Sequence, residues 1–174
     1  MRALALALLA ALVLAGLIFG YGWYASRQTP ASLPRADRVV VDKSERRLSL
    51  LRGGEVIKSY SVSLGASPAG HKQQEGDERT PEGRYVLDWR NPRSRYYKAL
   101  HISYPNARDR AAARRRGVSP GGDILIHGLP NGFDWAAGFL GLVDWTDGCI
   151  AVNNSEMDEI WRAVADGTPI EIQP

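Results

Sequence analysis

"RVVVDKSERRLSLLRGGEVIKSYSVSLG", residues 38–65, carries the reading of the fold. Three short runs rich in Val, Ile, Leu and Tyr are interrupted at Lys43-Ser44-Glu45 and at Gly53-Gly54, where turn-forming residues break the β-branched pattern. That spacing predicts three strands joined by two consecutive hairpins. Further strand candidates follow at Gly83–Asp88, Ala99–Ser103, Asp123–His127, Cys149–Val152 and Thr168–Ile172, each bounded by Gly, Pro, Asn or Asp. Short strands at such intervals favour a mainly β domain, a sandwich or a barrel. Helical periodicity is confined to residues 107–116 and to "NSEMDEIWRAV", residues 154–164, where Met157, Ile160, Trp161 and Val164 share one face. Asn153, with Glu156 three positions later, forms a capping-box pattern that starts the second helix just after a strand.

Working outward, residues 3–25, "ALALALLAALVLAGLIFGYGWYA", hold no charge over 23 positions. As a helix they would span ~35 Å, enough for a bilayer core, so this segment is expected to enter a membrane. Tyr21, Trp23 and Tyr24 suit a membrane interface and favour an uncleaved anchor. A removed signal peptide, cut after Gly22, is the alternative. Residues 1–25 are thus read as anchor or signal. Residues 26–37, with two prolines and no apolar period, read as a linker, which leaves 38–174 as one exported domain. The net charge of +3 comes largely from "RDRAAARRRG", residues 108–117. No nucleic-acid motif stands beside it, so the charge predicts a solvated helix face or attraction to acidic envelope polymers and lipid head groups, with no nucleic-acid partner.

Cys149, in "VDWTDGCIAVNN", is the chain's one cysteine, which excludes an internal disulfide. A lone thiol is commonly a small buried hydrophobe. Here Gly148 precedes it and removes a side chain where a substrate backbone could come close, while Thr146 and Asp147 place polar groups beside the sulfur. A turn of this kind can aim the N–H groups of Gly148 and Cys149 at a developing oxyanion. Cysteine chemistry also needs a base, because the thiolate is the nucleophile. His127, in "DILIHGLPNG", ends an apolar strand 22 positions upstream and is followed by a glycine, which makes it the candidate.

These residues resemble the L,D-transpeptidases with a YkuD-type catalytic domain, cysteine enzymes of peptidoglycan. The family signature, a His, a gap, then Ser or Thr, a variable residue, Gly and Cys, is matched by His127 and by Thr146 to Cys149, with a gap of 18 residues that is slightly long. "GDERTPEGRYVL", residues 76–87, and "YYKALHISYPN", residues 96–106, are similar to segments of the family's envelope branch. The chain departs from the pattern at Asp147, where many members carry His, and at Ala151, where many carry Arg or Asn. Beside the thiol, Asp147 would raise its pKa by repulsion if close, or point away if the Gly148 turn allows.

The resemblance implies a YkuD-type β-sandwich with a few short helices and acyl transfer in two steps, needing no cofactor and no metal. His127 takes the thiol proton. Cys149 then attacks the carbonyl at the L-centre of the third stem-peptide residue and expels the terminal D-amino acid. An oxyanion donor is worth about 3 kcal/mol of barrier. The main-chain carbonyl of Gly128 would complete the catalytic set. The acceptor could be a stem amine, a lipoprotein amine or water, so a wall-peptide hydrolase is the runner-up, and an anchored wall-binding protein without catalysis is the reading from another class. Thr146, Asp147 and His101 are the expected substrate contacts. His101 alternates with apolar neighbours on a strand and equally suits a groove wall or core, while His71 sits in a polar loop and reads as solvated. The three histidines and Cys149 lack the close paired spacing of common zinc motifs.

Overall fold

The turn residues in the opening segment act where their spacing predicts. β1 (Arg38–Asp42), β2 (Arg47–Arg52) and β3 (Glu55–Ser61) form two successive antiparallel hairpins. Gly53 and Gly54 turn the second one at φ 61° and 87°, a region open to a residue without Cβ. The structure is a computed structural model that describes residues 13–17, 19 and 33–174, the last forming one compact unit. The expected membrane segment, residues 3–25, lies largely outside the described residues, as does most of the linker. Among the described residues no helix is long and apolar enough to cross a membrane.

Five more strands follow: β4 (Gly83–Ser94), β5 (Tyr97–Ile102), β6 (Leu125–His127), β7 (Ile150–Ala151) and β8 (Thr168–Gln173). All join one eight-stranded sheet in the order β3-β2-β1-β8-β4-β5-β6-β7, antiparallel except at β1/β8 and β6/β7. The expected sandwich is therefore a single curled sheet. Its two ends meet because the chain continues past β3 and pairs with the far edge, Ser63 with Ala151 and Gly65 with Thr146. β4 also runs further than Asp88, the expected end. Its register breaks against β5 between Leu87 and Arg90 and again between Asn91 and Ser94. Such bulges let a strand continue past Pro92, which has no N–H to give a ladder.

Val39, Val41, Leu48, Leu50, Leu100, Ile126, Ile150, Ile170 and Ile172 are buried in one core. The helix α1 (Ala107–Arg116) buries only Asp109 and Ala113, so its arginines are solvated as expected. Asn106 and Asp109 give it a capping box that the sequence reading did not single out. A single turn at Asp134–Ala136 leads into α2 (Ala137–Leu140). The last helix, α3 (Asn154–Ala163), starts at the expected Asn153–Glu156 box and packs Met157, Ile160 and Ala163 on the core. Trp161 is only partly buried, with the Arg90 guanidinium 4.8 Å from its ring.

Candidate active site

The sheet register decides which side chains meet. In the parallel pair β6/β7, Ile126 lies opposite Ile150 and His127 opposite Ala151. Both isoleucines fill the core. Alternation then turns His127, Ala151 and Cys149, the residue just before β7, onto the other face. On the neighbouring β5, Ala99 pairs with His127 and His101 with Leu125. Cys149, His127 and His101 therefore share one face, with Leu125 between His101 and the cysteine.

His127 is 2 % exposed, under the rings of Tyr96 at 4.6 Å and Trp145 at 5.8 Å between centroids. Burial holds its pKa below the ordinary value, against a smaller opposing effect of the Gly128 carbonyl. That carbonyl oxygen lies 2.7 Å from Nδ1. A carbonyl can only accept, so Nδ1 carries the hydrogen and Nε2 keeps the lone pair. Gly128 is needed for this contact: a Cβ there would stand 2.5 Å from Asn154 Oδ1 and 3.0 Å from Tyr97 Cβ. Asn154 Oδ1 in turn accepts the Leu129 N–H at 2.9 Å. The first residue of α3 thus fixes the strand end that carries the histidine.

Cys149 is partly buried, and its thiol donates to the Asp123 carbonyl at 3.6 Å. Burial pushes this thiol up to about 11; a Leu125 backbone hydrogen bond and the Lys72 charge lower it, while Asp147 and Asp123 raise it further. Near neutral pH the pair is consequently a neutral thiol and a neutral imidazole on one face, with the sulfur turned to Asp123. Lys72 had no signal in the sequence. It is 3 % exposed and paired at 2.8 Å with Asp77, whose carboxylate also accepts the N–H groups of Gln73, Gln74 and Arg79.

The Thr146–Cys149 turn is held by its own atoms. Thr146 Oγ1 donates to the Cys149 carbonyl at 2.7 Å and accepts the Gly148 N–H at 3.2 Å. Expected as a substrate contact, Thr146 is buried, with its hydroxyl occupied in shaping the turn. Of the two expected oxyanion donors, the Gly148 amide is engaged by that hydroxyl, which leaves the Cys149 amide as the principal candidate. Gly148 also differs from expectation in what it makes room for. It sits at φ +119°, and a Cβ would meet the Arg79 carbonyl oxygen at 2.5 Å, so the close neighbour is the protein's own backbone.

Asp147 is exposed at the mouth of the turn. His101 Nδ1 lies 2.6 Å from Asp88 Oδ1, and its ring stacks on Trp89 at 4.6 Å. His71 is partly exposed and also tied down: Nδ1 accepts the Glu82 N–H at 3.0 Å, and Nε2 is 3.3 Å from Asp109. Among the described residues no three His, Cys, Asp or Glu side chains are grouped to hold a metal ion. The connection between the two candidate groups exposes Phe133, Trp135, Phe139, Leu142 and Val143. Trp145 closes it beside the histidine, and its Nε1 is buried with no hydrogen-bond partner among the described residues.

Comparison with known proteins gives the family of the domain. Residues 36–172 match the profile of the YkuD family, the L,D-transpeptidase catalytic domain. YafK of Escherichia coli strain K12, whose name makes it a candidate L,D-transpeptidase, is 35% identical over 134 residues, covering 72% of this chain and 46% of that protein. The chain thus spans about half the length of the curated relatives it matches. Among solved structures, the K307A mutant of the helical cell shape determining protein Pgp2 from Campylobacter jejuni superposes with a TM-score of 0.62 at 28% identity, covering 80% of this chain and 47% of that one. Bd1075 of Bdellovibrio bacteriovorus gives a TM-score of 0.54 at 26% identity, covering 83% and 52%.

Proposed function

The chain belongs to the YkuD family of L,D-transpeptidase catalytic domains, and we propose that it is a cysteine acyltransferase acting on peptidoglycan stem peptides in the cell envelope. The observation that carries this reading is the His127 imidazole, buried and held by Nδ1 on the Gly128 carbonyl, on the same sheet face as Cys149. That arrangement leaves Nε2 basic. Residues 3–25 anchor the chain or direct its export, residues 26–37 tether it, and residues 38–174 do the chemistry on the periplasmic side. Pgp2 is named a helical cell shape determining protein, and wall remodelling is a role that fits this chain as well.

The reaction follows from the protonation states. On donor binding Cys149 rotates from Asp123 toward His127, which takes the thiol proton as sulfur attacks the carbonyl at the L-centre of the third stem residue. The Cys149 amide holds the oxyanion. Collapse breaks the C–N bond, and the proton on His127 passes to the departing amine. An acceptor then attacks the thioester, His127 removing its proton and the thiolate leaving. A stem amine gives a cross-link, a lipoprotein amine anchors that protein to the wall, and water gives a hydrolase.

A second reading has its own support. The raised thiol and the nearby Asp147 charge oppose activation, which favours an anchored wall-binding protein without turnover. Product analysis separates them. Incubation with a disaccharide tetrapeptide is predicted to yield joined or shortened stems with the native chain and neither with Cys149→Ala. Equal products from both proteins would overturn the acyltransferase, and binding without any product would favour the wall-binding protein.

A further inference from the structure

Residues 135–143 in the connection from His127 to Cys149, "WAAGFLGLV", carry no charge, and their largest side chains face outward. Trp135 and Leu142 are each 82 % exposed, and Phe139 is 69 % exposed. Phe133 and Val143 extend the patch at its two ends, with the Phe133 and Trp135 rings 6.2 Å apart between centroids. A continuous apolar patch on a folded domain marks an interaction surface.

Polar contacts hold the inner side of this segment while its rings stand in solvent. Ser63 Oγ donates to the Leu140 carbonyl at 2.7 Å, the Leu64 N–H donates to Asp144 Oδ1 at 2.9 Å, and Asn154 donates to Asp134. Successive turns add bonds from the Ala136 N–H to Phe133, from Gly141 to Ala137 and from Leu142 to Phe139. The outward aromatics are thus presented by a fixed backbone. Cations border them. Asn131 donates from its backbone N–H to the Arg95 carbonyl at 3.0 Å and from Nδ2 to the Ser94 carbonyl at 3.1 Å, and its Oδ1 accepts the Tyr97 N–H at 3.0 Å. This fastens the β4–β5 turn to the start of the patch. The turn carries Arg93 and Arg95, both exposed and in no ion pair among the described residues.

That combination selects the occupant. Trp and Phe settle at the boundary between head groups and acyl chains, and neighbouring guanidinium groups are drawn to anionic lipid phosphates. The sequence puts such a surface within reach. On the anchor reading, residues 3–25 sit in a bilayer and residues 26–37 tether the domain to it. Twelve extended residues span about 40 Å, and a domain of this size is roughly 40 Å across. Any face can therefore meet the bilayer, and the apolar, arginine-flanked one is held there. A tether also makes this second contact intramolecular, so a weak one suffices.

We propose that residues 133–143 form a second membrane contact, their apolar side chains entering the interface of an anionic bilayer and Arg93 and Arg95 lying on lipid phosphates. The inference rests on the envelope location in the functional reading, not on acyl transfer. Because the segment follows directly from His127, docking brings that end of β6 toward the lipid surface.

Residues 33–174 form one compact unit, so residues 26–174, without the apolar segment, are the test protein. Flotation with vesicles of mixed phosphatidylglycerol and phosphatidylcholine, and of phosphatidylcholine alone, reads the contact. The native domain is expected to bind the anionic vesicles, and at least about tenfold more weakly when Trp135→Ser, Phe139→Ser and Leu142→Ser are combined. Binding should fall several-fold in Arg93→Gln with Arg95→Gln, and with phosphatidylcholine alone. Lipids brominated on their acyl chains give a reading that needs no disruptive variant: they should quench part of the native emission, and that part should be missing in Trp135→Phe. No binding to anionic vesicles, equal binding to both vesicle types, binding unchanged in the triple variant, or equal quenching in Trp135→Phe overturns the contact. A lipid-free dimer that the triple variant disperses would assign the patch to a second copy and overturn it too. Formation of an acyl-enzyme by the soluble domain needs no vesicle, so either reading can fail while the other stands.

Discussion

At the scale of single residues, Cys149 and His127 both rest in their neutral forms. Burial raises one and lowers the other. In the proposed reaction this pair works by general-base attack within one sheet face, not as a preformed ion pair. Its pH dependence follows. His127 must be unprotonated, so the rate of acylation is expected to climb as pH rises through a midpoint below 6.5 and to stay flat across neutral pH. The same burial makes the unfolded chain bind its proton first, so His127's contribution to stability falls as pH drops below 6.5. Asp147 is a charge that raises the thiol. Alkylation of the sulfur by iodoacetamide, followed against pH, is predicted to show a midpoint near 11 that moves down in Asp147→Asn; an unmoved or higher midpoint would show that Asp147 does not act on the sulfur. Cys149 and His127 stand out in the sequence because glycine flanks each of them. Trp145 does not, because an indole before a turn looks the same whether its N–H is satisfied or buried alone.

At the scale of elements, the segment between β3 and β4 matters as much as the strands. Gly65 N donates to Thr80 Oγ1 at 3.0 Å, and Lys43 Nζ reaches the Gly70 and Thr80 carbonyls and Glu82. Lys72 and Asp77 close the same loop, which presses the Arg79 carbonyl against Gly148. Replacing Lys72 with Met strips a nearly buried carboxylate of its ion partner, and urea unfolding is expected to report a loss of about 3 kcal/mol. A loss under about 1 kcal/mol would place this pair with weak surface bridges. Removing the Lys72 charge should also lift the thiol further. Hairpins and the α3 cap were readable because their signals are local, two glycines or an Asn with a Glu three residues on. Lys72 in the loop and Lys43 in the first hairpin turn were not readable, since a polar run gives no sign of which cation will be enclosed by chain that arrives from elsewhere.

At the scale of the whole molecule, the curled sheet is the device that assembles the site. Its closure by Ser63–Ala151 and Gly65–Thr146 joins the end of the first hairpins to the cysteine turn. Neither pairing has a short-range signature, which is why separate strands were foreseen and the closure was not. In this member of the YkuD family the Cys149 turn and the His127 strand lie side by side through the β6/β7 pairing. The departures at Asp147 and Ala151 are local changes on that frame, and the Asp147 charge raises the thiol. The most direct test of the central claim is intact-mass spectrometry of residues 26–174 incubated with a disaccharide tetrapeptide, beside Cys149→Ala and His127→Ala. The account predicts a covalent acyl adduct on the native domain, none on Cys149→Ala and much slower formation on His127→Ala. An adduct that persists without the thiol, or none on a native domain that still binds the donor, would contradict it.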